Sequence, residues 1–453
     1  MELKWFKKSE QIYWIWLSLR LNNQNSSFQR LLERFDNSPY RVYGAKENEL
    51  RVAGHLSEYE IRVLLDKDLS EATTIYNYCK RNKVGILTYA DPYYPDLLKS
   101  MKKPPVLLYY MGNLPNLNNK ICVSVVGTRK MTEYGMRSGY KIAYELAAAG
   151  AVVVSGMALG VDAAAHAGAI GANGTTIAVL GCGIDVIYPR AHRKLRKYIC
   201  ERGAVLTAYH PGTPAYKNHF PERNAIISAL SEGTLVIEAP MHSGALITAE
   251  CASEQSRTVY ALPGSIEEPN SEGTNDLIKK GAVAVTSARD ILRYYFENHS
   301  PLVDAAKLRA AEQSSDYDNK ILTELGIVET CHGKGSSGTP AALLKKLNEE
   351  LNDNEKQNSD YYAVPKIKRI GEKNESTEAE VENNKKTEAE QSILATLSEE
   401  QRKIFDELPC DKPVSLDALC AGGFNIGTLM ASLTILEIKG LISSLPGGMY
   451  IRK

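Results

Sequence analysis

Between residues 120 and 296, short apolar runs alternate with segments of helical periodicity, and no other feature limits the fold so tightly. The runs are 121–126, 151–154, 176–180, 235–238 and 258–261, with a shorter one at 204–206. They are apolar at successive rather than alternate positions, which suits strands covered on both faces. Between them, 134–149, 161–170, 191–201, 224–230 and 245–256 repeat apolar residues at helical spacing, and 275–280 and 288–296 close the pattern as helices. Strand and helix in this order predict an α/β fold, a Rossmann-like doubly wound and mainly parallel sheet.

The flanks differ in character. Residues 1–83 read as an N-terminal helical domain, with Ile12, Trp16 and Leu19, then Phe28, Leu31, Leu32 and Phe35, at helical spacing. Lys4, Lys7 and Lys8 precede the apolar stretch 12–21 as in a signal peptide. Ser18 and Arg20 interrupt that stretch and no small-residue cleavage site follows, so an amphipathic helix is expected. The core is assigned to 84–298, with 84–119 as a lead-in of two short strands around Pro104-Pro105. Residues 299–395 read as a polar, largely disordered linker, because 371–391 hold ten charged residues and no aromatic one. Residues 396–453 regain a compact pattern. Helices are expected at 399–408, 416–421 and 427–439, then strands at 441–444 and 449–452 around Pro446-Gly447-Gly448, the order of a winged helix.

Charge narrows the class of partner. Lys plus Arg and Asp plus Glu are 54 each, so the chain has no net charge with which to coat nucleic acid as a histone does. Any anion site must be a local cluster. The eight cysteines form no C-x-x-C pair and no zinc-ligand spacing, which fits a reducing compartment. With no apolar run of the ~18 residues that a membrane span needs, the reading is a cytoplasmic protein without metal or cofactor.

In an open parallel sheet, ligands bind beyond the carboxyl ends of the strands. Four such ends carry glycine beside hydroxyl or basic residues: Gly127-Thr128-Arg129, Ser155-Gly156 running on to Gly160, Gly181-Cys182-Gly183 followed by Tyr188-Pro189-Arg190, and Ser243-Gly244. Glycine lets backbone N–H groups approach a ligand, and helix N-termini add partial positive charge. With Arg129 and Arg190, these loops predict a phosphate-binding crevice. Lys217, Phe220, Arg223 and Asn224 add a ring, expected in a loop, between basic groups. That combination suits single-stranded nucleic acid, whose bases stack while its phosphates pair. The one G-x-G-x-x-G, Gly333 to Gly338, has no strand before it and is set aside, and no P-loop is present. No G-x-S-x-G elbow supports a nucleophile, so no catalytic residue is assigned. Asp162 and His166, at i and i+4, are expected to pair structurally.

Together these elements resemble the DprA/Smf family of bacterial DNA-processing proteins. The resemblance is carried by Val125 to Arg129, Ser155 to Asp162, Ala165-His166, Gly181 to Asp185 with Tyr188-Pro189, Phe220 to Asn224, Val236 to Ala239, Ser243 to Ala249, Pro263-Gly264 and Gly273 to Asn275, across residues 85–295. It implies a non-enzymatic core that binds single-stranded DNA, forms a homodimer, protects incoming DNA and loads RecA during natural transformation and recombination. It also implies phosphate contacts from Arg129 and Arg190. Two departures stand out: Ala225 follows the Arg-Asn pair where the family usually has Arg, and Thr207-Ala208 replaces the usual Ser-Glu.

The alternative is a nucleotide-binding enzyme of the phosphoribohydrolase type, although the P-G-G-x-G-T run of those enzymes is missing. A regulator acting through its winged helix would leave the larger α/β domain unexplained. The winged helix itself is expected to read DNA weakly. Helix 427–439 has its first basic residue at Lys439, and 397–453 hold six basic against seven acidic residues. Leu429 and Met430 are its candidate protein contacts.

Overall fold

The computed structural model describes residues 3–53, 56–298, 301–314, 319–325, 327, 398–406, 414–415, 429, 432–433, 436, 442–445 and 449–452. The chain divides into two compact units, Met1–Asp353 and Asn354–Lys453.

The first unit opens with six helices: α1 (Leu3–Leu21), α2 (Phe28–Arg34), α3 (Pro39–Gly44), α4 (Glu47–Val52), α5 (Glu58–Leu65) and α6 (Ser70–Arg81). The stretch 12–21 lies within α1, and Ile15, Trp16 and Leu17 on it are buried. α5 starts at a capping box. The Glu60 amide donates to Ser57 Oγ (3.2 Å) and the Ser57 amide donates to Glu60 Oε2 (2.8 Å). These helices do not form a core of their own. Trp16, Leu64 and Ile75 share one apolar cluster with Leu107, Tyr109 and Ile199. Buried Asn23 ties the two parts: its Nδ2 donates to the carbonyls of Leu107 (2.8 Å) and Ala208 (2.6 Å), and its Oδ1 accepts from the Leu107 amide (3.1 Å). Position 83/84 therefore marks a change of secondary structure within one folded unit.

Among the described residues the sheet of this unit has nine strands: β1 (Gly85–Thr88), β2 (Leu107–Gly112), β3 (Cys122–Val126), β4 (Val152–Ser155), β5 (Thr176–Leu180), β6 (Ala204–Thr207), β7 (Gly233–Val236), β8 (Thr258–Ala261) and β9 (Val283–Ala284). Their order is β1-β2-β6-β5-β4-β3-β7-β8-β9. Pairing is parallel from β6 to β9, and the lead-in strands β1 and β2 extend the β6 edge antiparallel. Every residue of β3 to β7 is buried, Ser124, Thr176, Thr207 and Thr234 included, as strands covered on both faces require. The intervening helices are α7 (Asp96–Lys99), α8 (Glu133–Ala148), α9 (Val161–Gly171), α10 (Arg193–Arg202), α11 (His219–Ala229), α12 (Gly244–Glu254), α13 (Glu272–Lys279) and α14 (Ala288–Asn298). Alternate strand residues face opposite layers. Val123 and Val125 pack with Ile142 and Leu146 of α8, while Cys122 and Val126 pack with Ile226 of α11 and Ala249 of α12.

Two expectations are corrected in this unit. Phe220-Pro221 is not in a loop, because α11 begins at His219 rather than near Asn224. Proline is accommodated in a first helical turn, where its missing N–H has no partner to lose. Packed structure also runs past residue 298. α15 (Ala305–Gln313) and α16 (Asn319–Glu324) follow, with Val303, Leu308, Leu322 and Leu325 buried. Asp304 starts α15 by accepting from the amides of Ala306 (2.9 Å) and Lys307 (3.1 Å). The segments 333–338 and 371–391 lie outside the described residues.

In the second unit the described residues include a helix, Glu399–Asp406, and a three-stranded antiparallel sheet. Its strands are β10 (Val414–Ser415), β11 (Ile442–Leu445) and β12 (Met449–Arg452), in the order β10-β12-β11. Leu429, Leu433 and Leu436 are helical and buried, so Leu429 is core and not the surface contact expected of it. Met430, the expected helix 416–421 and the turn 446–448 lie outside the described residues.

Candidate functional site

The chain leaves β3 toward β4 on one side and returns through β7 to continue toward β8 on the other. Loops diverge at such a reversal, and the crevice between them lies at the carboxyl edge of the sheet. Here it measures about 340 Å³. Its walls are the β3–α8 turn, the start of α9, the first turns of α11 and the β7–α12 loop.

The β3–α8 turn is held by its own backbone. The Thr128 amide donates to the Glu238 carbonyl (2.7 Å), the Thr128 carbonyl accepts from the Val161 amide (3.2 Å), and Thr128 Oγ1 accepts from the Lys130 amide (3.2 Å). Gly160 lies against this turn at φ +78°, and a Cβ there would overlap the Thr128 carbonyl oxygen. Thr128 is buried as a result, while Arg129 and Lys130 stand exposed at the mouth.

A ring faces these cations. Phe220 is half-buried, with the Arg129 guanidinium carbon 5.4 Å and the Arg223 guanidinium carbon 5.9 Å from its centroid. Tyr188 flanks it at 5.5 Å. On the opposite wall Ser243 Oγ accepts from the Ala245 amide (3.3 Å) and caps α12. Gly244 is exposed, and a Cβ built on it meets nothing within 4 Å. Asn224 joins the walls, since its Nδ2 donates to the Gly244 carbonyl (3.3 Å) and its Oδ1 accepts from Arg223 Nε (3.1 Å).

Of the residues singled out from the sequence, the crevice brings together Gly127, Thr128, Arg129, Phe220, Arg223, Asn224, Ser243 and Gly244. Arg223 is buried, not solvent-facing. Ser155 is buried too, and its Oγ donates to the Val125 carbonyl (2.7 Å). Gly156 and Gly160 shape the loop behind the wall. Arg190 and Lys217 are exposed outside the crevice, Arg190 at the start of a short 3-10 turn after the cis Tyr188–Pro189 bond and Lys217 just before α11. Lys130, Asp162 and Ile247 line the crevice and were not singled out as site residues. Lys130 could have been read from its place beside Arg129.

Asp162 and His166 do not pair. Asp162 Oδ2 accepts from the amides of Gly156 (3.1 Å) and Ala158 (3.3 Å). Burial raises the pKa of this carboxyl, against the opposing pull of Arg223. His166 Nδ1 meets Thr176 Oγ1 at 2.7 Å. That hydroxyl donates its single proton to the Val153 carbonyl (2.8 Å), so it accepts from His166 Nδ1–H. The imidazole is wholly buried with Nε2 unpartnered among the described residues, and burial pushes its pKa down to about 3. Of the departing positions, Thr207 Oγ1 donates to the Cys182 carbonyl (2.8 Å), and Ala225 packs beside the α11–α12 core.

Fold and crevice define a Rossmann-like α/β protein whose carboxyl sheet edge combines exposed cations and a ring at the switch point. Residues 85–296 match the family model described as DNA recombination-mediator protein A, and residues 387–448 match the DprA winged helix domain. The Protein Smf of Synechocystis sp. is 32% identical over 453 residues, covering 98% of this chain and 99% of its own. The DNA processing protein DprA of Streptococcus pneumoniae is 46% identical over 202 residues, covering 45% of this chain and 71% of its own. An X-ray structure of the Streptococcus pneumoniae protein aligns with a TM-score of 0.55 at 36% identity, over 62% of this chain and 97% of that one. The chain belongs to the DprA/Smf family of DNA-processing proteins and carries that family's winged helix at its C-terminal end.

Proposed function

We propose that the switch-point crevice binds single-stranded DNA, and that the chain, as a cytoplasmic homodimer, protects incoming strands and delivers them to RecA. The observation that carries this reading is the Arg129 guanidinium 5.4 Å from the Phe220 centroid at the crevice mouth. A cation beside a partly exposed ring meets a phosphate and a neighbouring base together. A paired base in a duplex is stacked on both faces and leaves none for Phe220. Cations read phosphate and the ring accepts any base, so binding is independent of sequence. RecA loading draws support from the recombination-mediator family model. No described helix is long and apolar enough to cross a membrane.

Fluorescence anisotropy with matched single- and double-stranded oligonucleotides, run beside a nucleotide-hydrolysis assay, tests this reading. Preferential single-strand binding without turnover is expected. Equal affinity for duplex contradicts it, and release of base from a nucleotide would favour the phosphoribohydrolase alternative.

A further inference from the structure

A guanidinium inside a protein persists only where its N–H groups find acceptors and its charge a partner. Arg223 is 5% exposed. Its Nη1 donates to the carbonyls of Gly156 and Val179, and its Nε donates to Asn224 Oδ1. Asp162, in the first turn of α9, binds the same loop from the other side through the Gly156 and Ala158 amides. Both backbone groups of Gly156 are thus taken by the buried pair, its N–H by Asp162 and its C=O by Arg223. This explains the glycine: a Cβ at position 156 would overlap Arg223 Nη1 and stand 2.7 Å from Asp162 Oδ2. From Gly156 the loop runs to Gly160, which bears on the Thr128–Arg129 backbone. The same guanidinium carbon lies 5.9 Å from the Phe220 centroid.

We propose that Arg223 is a positioning residue and not a nucleic-acid contact: with Asp162 it sets the β4–α9 loop and the Phe220 ring so that Arg129 and Phe220 form one recognition face. The proposal rests on the single-strand reading above. Drawing Arg223 out of the wall to meet a phosphate would take Nη1 from both carbonyls. Burial lowers the pKa of the guanidinium while Asp162 opposes that shift, in keeping with a pair that works inside the wall.

Contact and positioning leave different marks on salt dependence. Each phosphate contact on a single strand contributes about 0.7 to the slope of log affinity against log salt. Anisotropy titrations of oligothymidylate across a salt series would compare the unmodified chain with Arg129→Ala, Arg223→Met, Arg223→Lys and Gly156→Ala. Arg129→Ala is expected to lower both affinity and slope. Arg223→Met and Arg223→Lys should each weaken binding about tenfold at the parental slope, because lysine restores the charge but not the fork that holds two carbonyls. The Arg223→Met loss should shrink in the Arg129→Ala background, where the face it positions is already broken. Gly156→Ala should weaken binding at the parental slope and be partly rescued by Arg223→Ala, which vacates the space the new methyl needs. A slope drop in Arg223→Met equal to that of Arg129→Ala, or parental affinity in either Arg223 variant, overturns the proposal. If Arg223→Met gives no cooperative melt, Gly156→Ala decides, and parental affinity there overturns it. Failure of the unmodified chain to bind single strands refutes the underlying reading instead, and is distinguishable because it appears before any substitution.

Discussion

Arg129 projects from a turn that backbone hydrogen bonds already fix, so its removal takes away charge without taking away structure. Arg129→Ala should leave the melting temperature unchanged, weaken single-strand binding severalfold and lower the salt slope by about 0.7. Arg190→Ala and Lys217→Ala should do less, since both side chains stand outside the crevice. Unchanged affinity and slope in a folded Arg129→Ala, Arg190→Ala double variant would contradict the phosphate assignment. A second prediction concerns His166, whose folded pKa of about 3 lies below its ordinary 6.5. The unfolded chain then binds the extra proton first as pH falls, so the stability His166 confers is complete above 6.5 and declines on acidification toward 3. Its share of the decline is about 1.4 kcal/mol per pH unit. Asp162 and Glu145, raised by burial, carry the opposite sign, so the test is a difference. His166→Gln should flatten the fall in stability between pH 6.5 and 4.5, measured by denaturant melts, and an identical pH dependence would contradict it. The place of Arg129 at a strand end beside the crevice was legible in the sequence. The burial of Arg223 was not, because its acceptors are carbonyls that only the folded β4 and β5 ends bring together.

Elements were legible where one physical cause dominated. β3 to β7 announced themselves because both faces are covered and no polar residue need face water. The start of α11 was not legible because Phe220-Pro221 reads locally as a turn, whereas the helix already begins at His219. The order of strands, and hence the switch point between β3 and β7, follows from tertiary pairing that no local pattern encodes. The same holds for the junction of the N-terminal helices with the sheet, where Asn23 serves three backbone groups of Leu107 and Ala208. Asn23→Ala would leave those groups buried and unsatisfied. It should cost about 3 kcal/mol in denaturant unfolding without changing the salt slope of binding. A loss below roughly 0.5 kcal/mol, the level of an ordinary surface substitution, would show that the junction is held some other way.

At the scale of the whole molecule, the proposed crevice lies wholly within the first compact unit. Cleavage within 371–391, a stretch with ten charged residues, should leave Met1–Asp353 melting cooperatively and binding single strands as the full chain does. Loss of either property would place part of the interface beyond residue 353. The second unit carries a winged-helix family match and holds six basic and seven acidic residues over 397–453, so weak duplex binding by it is the expected outcome. The measurement that bears most directly on the crevice is the affinity of Phe220→Ala for oligothymidylate and for a matched duplex, followed by anisotropy across salt. Base stacking on an aromatic side chain is worth about 1–3 kcal/mol. Phe220→Ala should lose that much single-strand affinity at an unchanged salt slope, with no change toward duplex. Parental single-strand affinity in a folded Phe220→Ala protein would contradict the crevice as the site where single-stranded DNA is held.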